Sequence, residues 1–250
     1  MTRGLYAAAS GAVAALERLD AVAQNLANVN TAGYKGARPV FKVKGDGDVP
    51  PDPSADVSPE RQLGVAQVQQ ASLERDFTPG PMRQSGNALD VAIQGPGFFA
   101  VATPRGERYT RQGTFAVDGQ GYLVTEHGER VQGEQGDLRL DGAPLIGEDG
   151  TITTTTGTNV GKLKLVGFGD KPALVAEGNS LFAPGPGAVA QPIKESDVRL
   201  QQGAIEASNV DAVRSLMELV EVSRGFESYM KALQRFDEIG QRSINDVGRV

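Results

Sequence analysis

The sequence predicts an α+β fold in which two long heptad helices, one at each end of the chain, flank a central all-β domain. At both ends, apolar or small side chains recur in alternating steps of four and three residues, which is the spacing of a coiled-coil seam. Between the ends, short apolar or alternating runs are separated by glycine- and proline-containing turns, as in all-β domains. We therefore expect the two terminal helices to pair as a coiled-coil-like unit.

The first predicted helix occupies the first 29 residues of the chain. Alanines within its seam allow a partner helix to approach closely. An amphipathic helix that only covers the core of its own domain would show the same pattern, so both interpretations stay open at this point. The seam positions are Leu5, Ala9, Ala12, Leu16, Leu19, Ala23 and Leu26.

The stretch "NLANVNTAGYKG", residues 25–36, is predicted to end this helix. Asparagine is a mediocre helix former and a good turn residue, and Gly33 can adopt the left-handed conformation that a helix end needs. Tyr34 and Lys35 look exposed in this pattern. A helix C-terminus followed by an ordinary loop is the simpler interpretation of the same residues.

The second predicted helix opens near Ser208 and runs about 30 residues, or roughly 45 Å. Ser208 or Asn209 is expected to cap it, and Asp211 suits its positive amino end. Its seam consists of Leu216, Leu219, Ser223, Phe226, Met230 and Leu233, and it then shifts to Phe236 and Ile239.

Four segments are expected along the chain. The connector is rich in proline and aspartate and lacks a sustained apolar period, which indicates an extended segment rather than a regular ladder strand. The segments are the first helix and its turn at 1–35, the connector at 36–75, the β-domain at 76–204 and the second helix at 205–250. Candidate strands after the first half of the β-domain are 137–140, 151–155, 162–168 and 197–200.

Composition excludes several classes of function. The chain has 250 residues, no cysteine and a net charge of −6, so disulfides and thiolate metal sites are excluded. No basic block indicates nucleic acid or anionic lipid as a partner. The apolar amino-terminal stretch is short and interrupted by charges, so we expect neither direct membrane insertion nor a cleaved signal peptide.

No catalytic, cofactor-binding or metal-binding residue is predicted. The single histidine, His127, lies in a probable hairpin turn, and no nucleophile elbow accompanies it. Asp46 and Asp48 are the nearest approach to an oxygen-only cation site, but their loop lacks the calcium-loop pattern. The glycine-rich stretches do not match a dinucleotide-binding loop.

Four stretches together resemble a known family, the bacterial flagellar axial proteins that form the rod and hook. They occur in the expected order, and together they cover both ends and the first half of the β-domain. The stretches are "NLANVNTAGYK" (25–35), "LDVAIQGPGFFAV" (89–101), "YTRQGTFAVDGQGYLVT" (109–125) and "QGAIEASNVDAVRSLMELVEVSRGFE" (202–227).

The resemblance implies a structural subunit whose terminal helices form the inner tube of an axle and whose β-domain forms an outer layer. It implies that the partners are other rod subunits, copies of itself and the flagellar type III export apparatus. It implies a place in the basal-body rod, which crosses the periplasm, and Tyr34 and Lys35 would reach a neighbouring subunit. The expected assembly residues are Leu5, Leu16, Leu19, Leu26, Asn28, Tyr34, Lys35, Asn209, Leu216, Leu219, Phe226, Met230 and Leu233.

Within this family, the length and the lack of large inserted domains are most similar to the proximal-rod subunits. A distal-rod subunit or another axial protein is the nearest alternative. Two alternatives of other classes are a secreted β-rich enzyme and a monomeric binding module such as an adhesin or an assembly chaperone. The enzyme alternative lacks a clustered polar site, and the chain has no tryptophan for stacking on sugars.

Overall fold

The computed structural model describes residues 2–44, 67–169 and 173–247. The chain forms two compact units. The helical unit contains the described residues of Met1–Ala27, Ala37–Asp76 and Asp211–Val250. The β unit contains those of Asn28–Gly36 and Phe77–Val210. The predicted α+β class, with a helix at each end and many strands between them, is confirmed.

The helical unit consists of two helices and a two-stranded antiparallel sheet. The helices are α1, Thr2–Ala27, and α2, Ala212–Val247, and the strands are β1, Ala37–Lys44, and β2, Gln67–Arg75. The segment predicted as an extended connector thus begins and ends in paired strands. Its prolines at 50, 51, 53 and 59 and its aspartates at 46 and 48 lie outside the described residues.

Helix α1 runs antiparallel to α2, and small residues of α1 receive aromatic rings of α2. Gly4 lies against the ring of Phe236, and Gly11 lies against the ring of Tyr229. In both places, a β-carbon on the glycine would approach ring atoms within 2.6 Å. Further along, the Arg18 guanidinium bonds the carboxylate of Glu218 at 2.7 Å. A larger residue at either position would therefore have to displace the ring that lies against it.

The ends of the two helices are fixed by short polar side chains. The Asn25 amide donates to the carbonyl of Ala37 at 2.8 Å and accepts from its N–H at 2.7 Å, which ties the end of α1 to the start of β1. Asp211 caps α2, because its Oδ1 accepts from the Arg214 N–H at 2.9 Å. The expectation that Ser208 or Asn209 supplies this cap is wrong.

The β unit is built from short strands that pair antiparallel. The strands are β3 Met82–Gln84, β4 Val91–Gln94, β5 Phe98–Thr103, β6 Gly106–Thr110, β7 Phe115–Val117, β8 Leu123–Thr125, β9 Arg130–Gly133, β10 Gly136–Asp137, β11 Pro144–Ile146, β12 Thr151–Thr154, β13 Asn159–Lys162, β14 Leu165–Phe168, β15 Leu174–Gly178, β16 Leu181–Pro184, β17 Ala190–Pro192, β18 Arg199–Gln202 and β19 Ala204–Glu206. The largest sheet has the strand order β15-β16-β6-β5-β9-β8-β7, with β10 on β9, β14 on β5 and β17 on β14. Smaller sheets pair β11-β12-β13, β18-β4 and β19-β3.

Two hydrophobic clusters hold this unit together. The larger cluster is mostly aliphatic, with Phe99 and Phe115 as its aromatic members, and its Val101, Leu123 and Ile152 are fully buried. The smaller one is aromatic, and Phe98 stands at its centre in contact with the rings of three other phenylalanines. Its buried members are Phe98, Ala100, Tyr109, Val166, Phe168, Leu174 and Phe182.

Burial also affects the one tyrosine in the aromatic cluster. The Tyr109 ring packs edge-on against the Phe168 ring at 4.8 Å. Desolvation, together with the neighbouring Glu107 carboxylate, raises the pKa of Tyr109 to about 12. The shift extends the pH range over which the Tyr109 phenol stays neutral, which suits its packing in an aromatic cluster.

No helix among the described residues is long and apolar enough to cross a lipid bilayer.

Gly113 should be among the least replaceable residues of the β unit. A β-carbon there would lie 1.7 Å from the Val91 carbonyl oxygen, which belongs to the backbone and can move only together with its strand. We expect Gly113→Ala to lower the free energy of unfolding by about 3 kcal/mol, because strand β4 must shift. Chemical denaturation of the full chain, followed by tyrosine fluorescence, measures the change.

Gly119→Ala is the matched control, since a β-carbon at Gly119 meets no atom within 4 Å. Its effect on unfolding should stay within about 0.5 kcal/mol. Equal effects of the two substitutions would contradict the close approach at Gly113.

Candidate assembly site

The amino-terminal part of α2 exposes an unusually apolar face. Four large apolar side chains lie at positions i, i+3, i+4 and i+7, which share one side of a helix. Leu216 is 50% exposed and Met217 is 63% exposed. Contiguous exposed apolar surface of this kind marks an interaction site in soluble proteins. The four residues, called the α2 stripe below, are Val213, Leu216, Met217 and Val220.

Helix α1 exposes a second apolar group. Leu5 is 39% exposed and Leu16 is 46% exposed, and Tyr6 and Val13 are also exposed. The buried side of α1 is made mostly of alanine, at Ala8, Ala12 and Ala21. These three alanines of α1 therefore pack within the chain, whereas the four large apolar residues named above are exposed.

The residues of the predicted seam divide between these environments. Exposed members are Leu5, Leu16, Leu216 and Met230, and half-buried members are Leu19, Leu26, Leu219, Phe226 and Leu233. Sequence reasoning missed Tyr6, Val13, Val213, Met217 and Val220. Val213 and Val220 lie three residues before and four residues after Leu216, so helical spacing places them on the same side of the helix although they lie outside the predicted seam. The assembly role of all these residues stays a prediction.

The turn after α1 is organised as expected, and residues 32–35, which follow it, are buried. The Asn28 carbonyl accepts from the Thr31 N–H at 3.1 Å, and Asn28 Oδ1 accepts from the Thr31 hydroxyl at 3.2 Å. Gly33 has φ +66°, the left-handed conformation predicted for it. A β-carbon on Gly33 would lie 2.4 Å from the Arg111 backbone, so this part of the segment requires glycine for a second reason.

Lys35 is almost completely buried in the β unit. Its side chain is 1% exposed, and its ammonium group donates to Glu206 Oε1 at 2.6 Å and to the Thr78 carbonyl at 2.8 Å. Tyr34 is also buried. The expectation that Tyr34 and Lys35 are exposed is wrong, because the carboxylate that Lys35 binds belongs to the same chain.

Glu206 holds two cations. Its Oε1 bonds Lys35 and also accepts from the Gly80 N–H at 2.9 Å, whereas its Oε2 faces the Arg111 guanidinium at 3.3 Å. The pKa of Arg111 is lowered by its burial, and the Glu206 carboxylate opposes that shift. Arg111 also donates to the Gly95 carbonyl at 2.7 Å. Sequence reasoning missed Arg111 and Glu206 as functional candidates, although both lie within stretches that carry the resemblance.

Asn209 joins the same region of the β unit. Its Oδ1 accepts from the Gly36 N–H at 2.8 Å, and its Nδ2 donates to the Thr78 hydroxyl at 3.1 Å. The residue thus ties the end of segment 28–36 to the chain that follows β19. This contact within the chain explains Asn209 without a neighbouring subunit.

His127 lies on the exposed turn between β8 and β9, where its backbone N–H donates to the Thr125 hydroxyl. Within the described parts of the chain, no three His, Asp or Glu side chains are grouped so that they could hold a metal ion. The candidate cation site at 46 and 48 falls outside the described residues.

Three family profiles match successive parts of the chain. Residues 5–35 match the family described as "Flagella basal body rod protein". Residues 92–154 match "Flagellar hook protein FlgE/F/G D1 domain", and residues 201–246 match "Flagellar basal body rod FlgEFG protein C-terminal". The three matches include parts of all four stretches on which the resemblance was based.

Full-length relatives point to the same family. The flagellar basal-body rod protein FlgF of Caulobacter vibrioides is 33% identical over 255 residues and covers 100% of both chains. FlgF of Mesorhizobium japonicum is 31% identical with 99% of each chain covered, and FlgG of Bacillus subtilis is 29% identical with 98% of this chain and 99% of its own covered. The chain therefore belongs to the flagellar FlgE/F/G family of rod and hook proteins, and it is most like FlgF.

Proposed function

We propose that this protein is a structural subunit of the flagellar basal-body rod, which polymerises through its terminal helices to form part of the torque-transmitting axle. The observation that supports the proposal is the α2 stripe, together with the exposed apolar residues of α1. Burial of apolar surface stabilises association by about 25 cal/mol per Å², so neighbouring helices would cover these side chains favourably. The subunit is not an enzyme in this proposal.

The two exposed groups differ, which bears on how copies would join. One lies on α1 and the other on α2, and they consist of different residues. Contacts between unlike patches need not close on themselves, whereas a patch that pairs with its own copy gives a closed dimer. An open assembly with other rod subunits and with copies of this chain suits such surfaces.

The proposed position is the proximal rod. FlgF and FlgG relatives both align along almost the whole chain, so a distal-rod subunit is the alternative within the family. The chain would leave the cytoplasm through the flagellar type III export apparatus without a cleaved signal peptide. It would then lie in the part of the basal body that crosses the periplasm.

Leu216→Asp should abolish rod assembly. A carboxylate buried between subunits without a partner costs several kcal/mol. Leu216 is half exposed in the single chain, so the folding of the β unit should not change. Swimming motility and electron microscopy of basal bodies measure the effect, and circular dichroism of the purified chain checks the fold.

Leu216→Met serves as the matched control, since it keeps an apolar side chain of similar volume and should preserve motility. A motile strain carrying Leu216→Asp would exclude the α2 stripe from assembly.

His127→Ala should leave motility intact, because the imidazole lies on an exposed turn and has no part in the proposal. Soft-agar swimming of the variant strain is the measurement. Loss of swimming with normal protein level and normal rods would revive an interpretation in which His127 belongs to a chemical site.

Purified protein should not grow filaments of indefinite length, because a proximal-rod subunit is expected to work in few copies between other subunits. Light scattering and negative-stain microscopy at rising protein concentration measure this. Unaided filament growth, or a position next to the hook, would favour the distal-rod alternative.

A further inference from the structure

Segment 28–36 makes a set of polar contacts with the rest of the β unit, and its Ala32 and Tyr34 side chains are buried. The Gly33 N–H donates to the Glu206 carbonyl at 2.7 Å, and the Gly36 N–H donates to the Asn209 side chain at 2.8 Å. Lys35 adds the buried ion pair with Glu206. The hydrophobic clusters that hold the sheets together include no residue of this segment. The segment and the sheets thus depend on different interactions.

The arrangement around Glu206 would let the segment detach without leaving the buried Glu206 carboxylate unpaired. Glu206 contacts both Lys35 and Arg111, and all three side chains are at most 4% exposed. If Lys35 withdraws into water, Arg111 still neutralises the carboxylate, and Gly80 still donates to it. Opening therefore avoids the large cost that usually follows when one member of a buried pair is removed.

The closed arrangement also has a cost of its own. Arg111 Nε is buried and, among the described residues, has no hydrogen-bond partner. A buried donor without a partner is unfavourable by about 1–3 kcal/mol. Gly33 lies directly against the backbone of Arg111 in this state. The closed state thus combines the buried ion pair with an unmet donor on the residue against which Gly33 lies.

We propose that residues 28–36 form a strap that closes on the β unit in a step separate from the folding of its sheets, and that only the strap-closed chain is incorporated into the rod. The first part concerns the single chain, and the second part rests on the proposed function. Lys35 is the positioning residue in this proposal, because its ammonium group bonds the buried Glu206 carboxylate and it is followed directly by Gly36, whose N–H bonds the Asn209 side chain.

Hydrogen–deuterium exchange of the full chain tests closure directly. Lys35→Met should raise exchange at the Gly33 and Gly36 amides by about tenfold or more, while amides of strands β5 and β9 keep their wild-type rates. Lys164→Met is the matched control, since it removes a half-exposed ion pair with Glu107 in the same unit and should change neither region. Parallel increases in the strap and in the strands would overturn the separate step, as would an unchanged strap.

Gly33→Ala provides a second variant that keeps every charge. Its β-carbon would overlap the Arg111 backbone, so the strap should open locally as in Lys35→Met. Gly86→Ala is its control, because Gly86 also has positive φ but has open space around it. If hydrogen exchange of the strap rises equally in both glycine variants, the cause is backbone strain at positive φ. That result would overturn the claim that contact between Gly33 and the Arg111 backbone holds the strap closed.

Rod assembly in cells tests the second part. Lys35→Met and Gly33→Ala should both reduce incorporation in proportion to the strap opening measured in the purified chain. Normal rods from a chain with an open strap would overturn the gating of incorporation. Leu216→Asp separates the two claims, since it should block assembly while hydrogen exchange of the strap stays at the wild-type rate. Normal assembly of that variant would contradict the proposed function and leave strap closure in the single chain standing.

Discussion

The buried Glu206 carboxylate makes the polar contacts on which the arrangement of segment 28–36 in the β unit depends. A carboxylate removed from water must be paired and hydrogen-bonded, because its desolvation is otherwise far too unfavourable. Glu206 meets this requirement with Lys35, Arg111 and the Gly80 N–H. These three groups are distant in sequence, so the charge specifies a tertiary arrangement that apolar packing alone would leave less defined.

All four stretches that carry the family resemblance meet around this carboxylate. The first contributes Lys35 and Gly33, and the last contributes Glu206 and Asn209. Arg111 comes from the third stretch, and it donates to backbone carbonyls of Ile93 and Gly95 in the second. The apparent sequence motif is therefore a set of complementary polar groups, together with glycines at the positions where backbones approach too closely for a side chain.

The sequence predicted the α+β class and the two terminal helices because the heptad period persists over many residues at each end. It could not separate the face of α1 that packs inside the chain from the face that is exposed. Alanine and leucine both count as apolar in a seam, whereas in the structure the seam residue Ala12 is buried and the seam residues Leu5 and Leu16 are exposed. The space that the partner helix needs contributes to this difference, since the rings of Phe236 and Tyr229 lie against Gly4 and Gly11 of α1.

The predicted helix cap and the exposure of Lys35 failed for one common reason. Sequence rules treat Ser, Asn and Lys as local or solvated residues, since such residues usually bond nearby backbone or water. Here Asn209 and Lys35 bond groups far away in the chain, so a local rule cannot identify their partners. The candidate strand at 137–140 is confirmed in part, because Asp137 ends β10 and Arg139 forms an isolated bridge with Tyr122.

The distribution of polar and apolar side chains is unusual for an isolated soluble protein. A lysine, an arginine and a glutamate are buried in the β unit, while the α2 stripe is largely exposed in the helical unit. Burying charges contributes mainly to specificity, and exposing apolar residues sacrifices stability that a monomer could have used. Both features are consistent with a chain that fixes the conformation of its β unit internally and obtains part of its stabilisation from neighbouring helices. In the proposed assembly, neighbouring rod subunits cover the α2 stripe, which is exposed in the single chain.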